Sequence, residues 1–302
     1  MRTSLIVVTA PDDFRHKNTY CFASVAAQTY PHEAFELILV DPHAHPHIAA
    51  GFAAFRAQNP ALRAMLLPSA SKARAVGNNL AAAHATGEIL IFLADDFDPS
   101  PGLVAAHAAY HAMNPDPDAV AIGSGLFPDD VRRDFFARWA EDSGHIFGVP
   151  MRRTLAVWPR RFFYVGNASL KRARFAALGG FDEHFPYDAW DDYEFGLRWA
   201  AGGGYSQFIA NAAAMHRHAV SFEERCASMM RAGESARVLE RLHPDLDHGW
   251  RAMLRGGAQT LRTMPANDAP EHAWIAYFNE QLNAAFRRGY LAAGESGGSR
   301  SE

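Results

Sequence analysis

Three carboxylates, Asp95, Asp96 and Asp98, leave the end of an apolar run in Phe92-Leu93-Ala94-Asp95-Asp96-Phe97-Asp98-Pro99. Like charges crowded at one point repel unless a cation offsets them, and hard oxygen ligands of this kind suit Mg²⁺ or Mn²⁺. An EF-hand is excluded, because the sixth position of a loop starting at Asp96 is Pro101 and not Gly. A plainer role stays open: Asp98 caps a helix beginning near Pro99 while the other two are solvated.

A second acidic group lies in Trp190-Asp191-Asp192-Tyr193-Glu194-Phe195-Gly196-Leu197-Arg198. Acidic residues in a first helical turn complement the macrodipole, and Glu194 with Arg198 has the spacing of an i,i+4 pair. Only one of Asp191 and Asp192 can cap, which leaves the other as a candidate general base. His216-Arg217-His218 follows a strand-like run, where a His serves either as a metal ligand or as a hydrogen-bonded structural residue. Lys72 and Arg74 precede a helical stretch and are candidates for phosphate contact or for plain surface charge. The glycines at 179–180 and 202–204 lack the spacing of a dinucleotide fingerprint or a P-loop. No Ser/His/Asp nucleophile arrangement stands out.

These groups must be held by regular elements. Short apolar runs at 5–10, 37–41, 63–67 and 88–93 predict strands, and the stretches at 19–28, 48–58 and 71–85 between them predict helices. That alternation predicts βαβ units, a mainly parallel sheet and ligands outside the carboxyl ends of its strands. Further on, 119–122 and 161–170 predict strands, 130–141 and 172–178 helices, and 144–161 a loop rich in Gly, Pro and Arg. A helix is expected from about Trp190 to before Gly202, then one or two strands over 205–215. From Ser221 the pattern is helical, with breaks near Pro244 and over 264–270, and residues 294–302 are expected to be a disordered tail.

The whole chain sets the outer bounds. Its 302 residues, 49% apolar and 21% charged, suffice for a substantial core. A balance of 29 Lys+Arg against 33 Asp+Glu, net −4, argues against a protein built to neutralise a nucleic-acid backbone. Cys21 and Cys226 are the only cysteines and fit no paired metal spacing. The first apolar run is too short for a signal-peptide core, and no segment approaches the ~20 apolar residues of a membrane span. A cytoplasmic protein is the expectation.

The ordered set of motifs resembles the family 2 glycosyltransferases of GT-A fold, over about residues 3–220. Four stretches of the first half carry it: Ser4–Thr9 as opening strand, Ser24-Val25-Ala26-Ala27-Gln28-Thr29-Tyr30-Pro31, Glu36–Asp41, and Asn79 followed by Ala85-Thr86-Gly87-Glu88 and the Phe92–Pro99 block. Downstream, Gly166-Asn167-Ala168-Ser169-Leu170-Lys171-Arg172 and Gly179-Gly180-Phe181-Asp182-Glu183 are similar to the family's acceptor-side segment. Asp191-Asp192 stands at its "E-D" motif and His216 at its metal-ligating His. The chain departs from the pattern at Ala94, where a carboxylate is usual, at Pro42 in the "D-D-G-S" turn, at Asn78 in place of Arg, and at Asp191 in place of Glu.

The resemblance implies an α/β fold of GT-A type, a Rossmann-like mainly parallel sheet flanked by helices, over 1–220; the helical C-terminal extension at 221–293 lies outside it and its purpose is unread. It implies an inverting transfer of sugar from a UDP-, GDP- or dTDP-sugar to a hydroxyl of a glycan or lipid-linked acceptor. Thr9, Asp41, Asn79, Arg74 and Asp95 would meet the nucleotide, and Asp96, Asp98 and His216 would hold Mn²⁺ or Mg²⁺. Asp192, with Asp191 beside it, would be the catalytic base, and Gly166, Asn167 and Trp190 would face the acceptor. Peripheral membrane contact through Arg251, Arg255, Arg262, Arg287 and Arg288, and pairing of subunits through the C-terminal helices, stay open. So do two rival readings: a non-catalytic binder of sugar nucleotides, and a metal-dependent phosphohydrolase, which would leave the downstream motifs unexplained.

Overall fold

The computed structural model describes residues 1–10, 18–148, 162–246, 250, 254 and 261–297, and side chains within these ranges except at 18–21 and 295–297. Arg251 and Arg255, the side chain of Cys21, most of the 144–161 stretch and the end of the expected tail lie outside them. Two compact units emerge: Met1–Glu183 with Asp191–Ala219, and His184–Trp190 with Val220–Glu302.

The first unit is built on strands β1 (Thr3–Val8), β2 (Phe35–Asp41), β3 (Arg63–Pro68), β4 (Ile89–Ala94), β5 (Phe97–Pro99), β6 (Ala119–Leu126), β7 (Asn167–Lys171) and β8 (Tyr205–His216). Its helices are α1 (Asn18–Ala26), α2 (Pro46–Gln58), α3 (Arg74–His84), α4 (Leu103–Met113), α5 (Phe135–Ser143), α6 (Arg172–Ala177) and α7 (Asp191–Ala201). All strands join one sheet in the order β3-β2-β1-β4-β7-β6-β8-β5. The first four pair in parallel, as the βαβ alternation predicts, and β6 pairs in parallel with β8. β7 runs antiparallel to both β4 and β6, and β5 antiparallel to β8, so the sheet is mixed.

β1, β2 and β4 are mostly apolar and buried along nearly their whole length because both faces of a central parallel strand are covered. Ile6, Ile38, Leu90, Phe92, Ile122, Phe175, Phe181, Phe195 and Trp199 form the core on one face. Glu36 is the exception inside β2. Its carboxylate accepts from Ser4 Oγ (2.7 Å), Thr86 N (2.6 Å) and Thr86 Oγ1 (2.9 Å), and Arg63 Nε lies 3.2 Å away. Burial alone would raise its pKa, but these bonds outweigh burial and hold it below the ordinary value. The Ala85–Glu88 motif is thereby explained as a strap that satisfies a buried carboxylate.

Some local expectations are revised. Asp98 caps no helix: α4 begins at Leu103 behind Gly102. Residues 130–141 split into a 3₁₀ turn (Val131–Arg133) and α5, whose N-cap Asp134 accepts from Ala137 N at 2.8 Å. The strand expected over 161–170 is confined to Asn167–Lys171.

The second unit contains α8 (Phe222–Leu242), opened by a capping box between Ser221 and Glu224, and α9 (Glu271–Gly297). α9 carries helix into the first residues of the stretch expected to be a disordered tail. Phe222 of α8 meets Phe278 of α9 at 5.1 Å, and Trp190 meets Trp250 and Phe286. Cys226 is a free thiol. No helix among the described residues is long and apolar enough to cross a membrane.

Candidate active site

The carboxyl ends of β1, β2 and β4 bring three of the motif segments together, as an open α/β sheet requires. After β1, Thr9 Oγ1 donates to Asp41 Oδ1 at 2.8 Å, and Ala10 N donates to Asp95 Oδ2 at 2.7 Å. Asp41 also accepts from His43 N (3.1 Å) and His45 N (2.7 Å), and its Oδ1 lies 2.8 Å from His45 Nδ1. Burial opposes ionisation of Asp41, yet these donors more than offset it and keep its pKa low. The Asp-Pro-His-Ala-His turn therefore organises itself around Asp41, a role for His43 and His45 that their scattered sequence positions did not announce.

The three carboxylates after β4 take three different partners. Asp95 receives the Ala10 amide. Asp96 Oδ2 lies 2.8 Å from His216 Nε2. Asp98 is bonded by the Ser24 hydroxyl and the Arg217 guanidinium. The pairing of Phe97 with His216 and of Asp98 with Met215 in the β5–β8 ladder dictates this division. His216 is buried among the ring edges of Phe97, Phe127 and Phe147, and its Nδ1 lies 2.8 Å from the His218 carbonyl. With Nδ1–H donated to that carbonyl, Nε2 and Asp96 Oδ2 face each other as two electron-rich atoms. A proton or a cation must lie between them. Imidazole and carboxylate are both ligands for Mn²⁺, and a carbonyl holding the far ring nitrogen is the usual support of a metal-bound His, so this pair fits a divalent ion. No cluster of three or more His, Cys, Asp or Glu able to hold a metal occurs among the described residues.

The second acidic motif opens α7. Asp191, fully buried, is gripped by Arg74 through Nε (3.1 Å to Oδ2) and Nη2. The same Nη2 lies 3.9 Å from Asp192 Oδ2. Asp192 accepts from Tyr193 N (2.9 Å) and Val165 N (3.4 Å), and its side chain retains 19% exposure. Burial pushes its pKa up to about 6, and the neighbouring Asp191 adds to the rise, against the pull of Arg74 and the two amides. A carboxylate that titrates near neutrality and can reach solvent suits a general base.

Tyr164 lies within electrostatic reach of both Asp96 and Asp192, and burial with these two charges raises its phenol pKa. Its ring rests on Gly166, where a Cβ would come within 2.5 Å of Tyr164 Cζ. Gly166 thus shapes the site by admitting an aromatic ring. A single Tyr after two Phe gave no sequence signal for this position.

Other motif residues are occupied structurally. Asn79 Nδ2 donates to Phe181 O and Glu183 Oε1, and its Oδ1 accepts from Phe181 N, all at 2.9 Å. Arg198 pairs with Glu194 and donates to the Leu178 and Gly180 carbonyls, so the Gly-Gly-Phe-Asp turn is tied from two helices. Asn167 is wholly buried. Trp190, in the second unit, donates from Nε1 to Ala232 O at 2.7 Å.

The profile described as Glycosyl transferase family 2 matches residues 19–179. Among solved structures, the mannosyltransferase PcManGT from Pyrobaculum calidifontis, in complex with GDP-Man and Mn²⁺, superposes with a TM-score of 0.57. Its identity is 19%, over 100% of this chain and 76% of that one. S. aureus TarS superposes at 0.56 with 14% identity, over 97% of this chain and 55% of that one. The 1–349 piece of TarS in complex with UDP-GlcNAc gives 0.54 and 13%, over 98% and 92%. A search of curated proteins returns no significant match. The structural likenesses establish a GT-A-like fold, and the family match spans more than half of the chain, which therefore belongs to glycosyl transferase family 2.

Proposed function

We propose that this protein is an inverting, metal-dependent glycosyltransferase that moves a sugar from a nucleotide-diphosphate donor to a hydroxyl of a glycan or lipid-linked acceptor. The observation that carries the reading is the pairing of two stations in one sheet domain: Asp96 with His216, and a part-exposed Asp192 with a raised pKa beside an Arg-bound Asp191. The complexes of PcManGT with GDP-Man and Mn²⁺ and of TarS with UDP-GlcNAc support the donor class and the ion. Asp96 and His216 would hold the cation, and Mn²⁺ or Mg²⁺ bound there would neutralise charge on the departing diphosphate.

The chain's own residues do the rest. Asp192 takes the proton from the acceptor hydroxyl. The acceptor oxygen bonds to the anomeric carbon as the bond to the diphosphate oxygen breaks, and the configuration inverts. Arg74 grips Asp191 and lowers the proton affinity of Asp192, so that Asp192 is a free base at pH 7. Thr9, Asp41 and Asp95 form the floor on which the nucleotide would lie.

The test is release of nucleoside diphosphate from a panel of UDP-, GDP- and dTDP-sugars with Mn²⁺, using wild type and Asp192→Asn. Turnover that Asp192→Asn lowers by about 10²–10⁴-fold with donor binding intact supports the assignment. Nucleotide binding without turnover in wild type would instead establish the non-catalytic binder, a reading motivated by Ala94 and Pro42 where the family pattern carries carboxylates.

A further inference from the structure

A buried polar chain crosses the sheet domain away from the carboxylates. Asn167 Nδ2 donates to Ser124 O at 3.0 Å and to Ala212 O at 2.8 Å, so its Oδ1 faces His107 Nε2 at 2.9 Å. His107 Nδ1 lies 2.7 Å from Ser169 Oγ, which lies 2.9 Å from His111 Nε2. One proton order satisfies every link: His111 Nε2–H to Ser169, Ser169 O–H to His107 Nδ1, and His107 Nε2–H to Asn167. Both imidazoles are neutral in this order, which burial enforces. His111 Nδ1 ends the chain with no hydrogen-bond partner among the described residues.

The two carbonyls served by Asn167 mark a break in the sheet. Gly123 of β6 lies opposite Ile209, but the next residue, Ser124, lies opposite Ala213. β8 therefore carries three extra residues, 210–212, that its neighbour does not match. A bulge of this kind strips carbonyls of their ladder donors, and a buried carbonyl left bare costs free energy. Asn167 supplies the missing donors. The fit is close: a Cβ on Gly123 would lie 2.3 Å from Asn167 Nδ2 and 2.4 Å from Ala212 O, so only glycine leaves room for the amide. Beyond the bulge, Ala213 to His216 keep a fixed register against β6 and β5, and this register sets His216 on Asp96.

We infer that Asn167 is a positioning residue: it holds the β8 bulge so that His216 meets Asp96, and it touches neither donor nor acceptor. For its effect on turnover the inference rests on the transferase reading, but its geometric content does not. Asn167→Asp keeps the shape, removes both donors and sets a carboxylate oxygen against two carbonyls; Gly123→Ala displaces the same amide from the opposite side. Asn167→Ser, which keeps one donor, takes over the test should Asn167→Asp fail to fold.

Two measurements on the full chain decide the matter. The first is the Mn²⁺ concentration for half-maximal donor turnover, expected to rise about 10- to 100-fold in Asn167→Asp with acceptor KM unchanged. On a His216→Ala background, Asn167→Asp should then change this midpoint by no more than about twofold, since one acts through the other. The second is the position of the His216 side-chain NMR signals without donor or metal, expected to move in Asn167→Asp and in Gly123→Ala. Unmoved His216 signals, an unchanged Mn²⁺ midpoint, multiplying effects or a raised acceptor KM would each overturn the inference. Absence of turnover in wild type with shifted His216 signals would overturn the transferase reading and support the positioning role.

Discussion

Replacing Arg74 by Met isolates the charge that keeps Asp192 a base at neutral pH. Arg74 Nη2 lies 3.9 Å from Asp192 Oδ2. Two unit charges at that distance interact by about 4 kcal/mol at an effective dielectric of 20 and about 1 kcal/mol at 80. Asp192 is partly buried, with 19% of its side chain exposed, so the true value falls between these limits. At 1.36 kcal/mol per pH unit, loss of the cation should raise the acidic midpoint of kcat/KM by ~1–3 pH units. The starting point is about 6. At pH 7 the ionised fraction then falls from about nine-tenths to between about one-half and one-hundredth, and activity should return as the pH is raised towards 9. Asp191 loses its bidentate partner in the same variant, so any rearrangement of its side chain adds to the observed change. The assay is kcat/KM for the donor across pH 5–9 in wild type and Arg74→Met. A midpoint that stays near 6, with a loss that persists at high pH, would refute the argument. A raised donor KM at every pH would assign Arg74 to the nucleotide instead.

Other expectations follow from the same geometry. Asp96→Asn should raise the Mn²⁺ midpoint for turnover by about tenfold or more, whereas Asp98→Asn, whose carboxylate serves Ser24 and Arg217, should leave it within about twofold; equal effects would restore Asp98 as a ligand. His107 has a folded-state pKa depressed from 6.5 to about 4 by burial, against the lift from Asn167. The unfolded chain then binds more protons at this site below pH 6.5, so the His107 share of stability is full above that value and falls by about 3 kcal/mol between pH 6.5 and 4. The difference in urea midpoint between wild type and His107→Gln over that range checks it, and a difference that does not change with pH would contradict the neutral assignment. Glu36→Ala strands the Ser4 and Thr86 donors in a buried place and should cost about 3 kcal/mol in the same measurement with little change in the Mn²⁺ midpoint.

Much of the first unit was legible along the chain. Apolar runs of five or six residues separated by Ala-rich helical stretches read as βαβ units because a central parallel strand hides both faces. The acidic cluster at 95–98 was legible as well, since charges placed just after such a run must sit at a strand end. Misreadings arose where local pattern underdetermines pairing. Asp98 looks like a cap before Pro99, yet β5 forms there and turns it towards Arg217. Asn167 sits in a motif read as facing the acceptor, yet the β8 bulge draws its amide inward.

The sequence by itself determined the alternation of strands and helices, the family, and the residue types able to carry charge and metal. Which of those residues meet was decided by the tertiary structure. Arg74 and Asp191 stand 117 positions apart and meet because α3 and α7 belong to one folded unit. Asp96 finds His216 because β8, after its bulge, runs antiparallel to β5. Propensity and periodicity act over a few residues, whereas a hydrogen bond or ion pair needs its atoms within about 3–4 Å. Strand order and register alone bring distant segments that close.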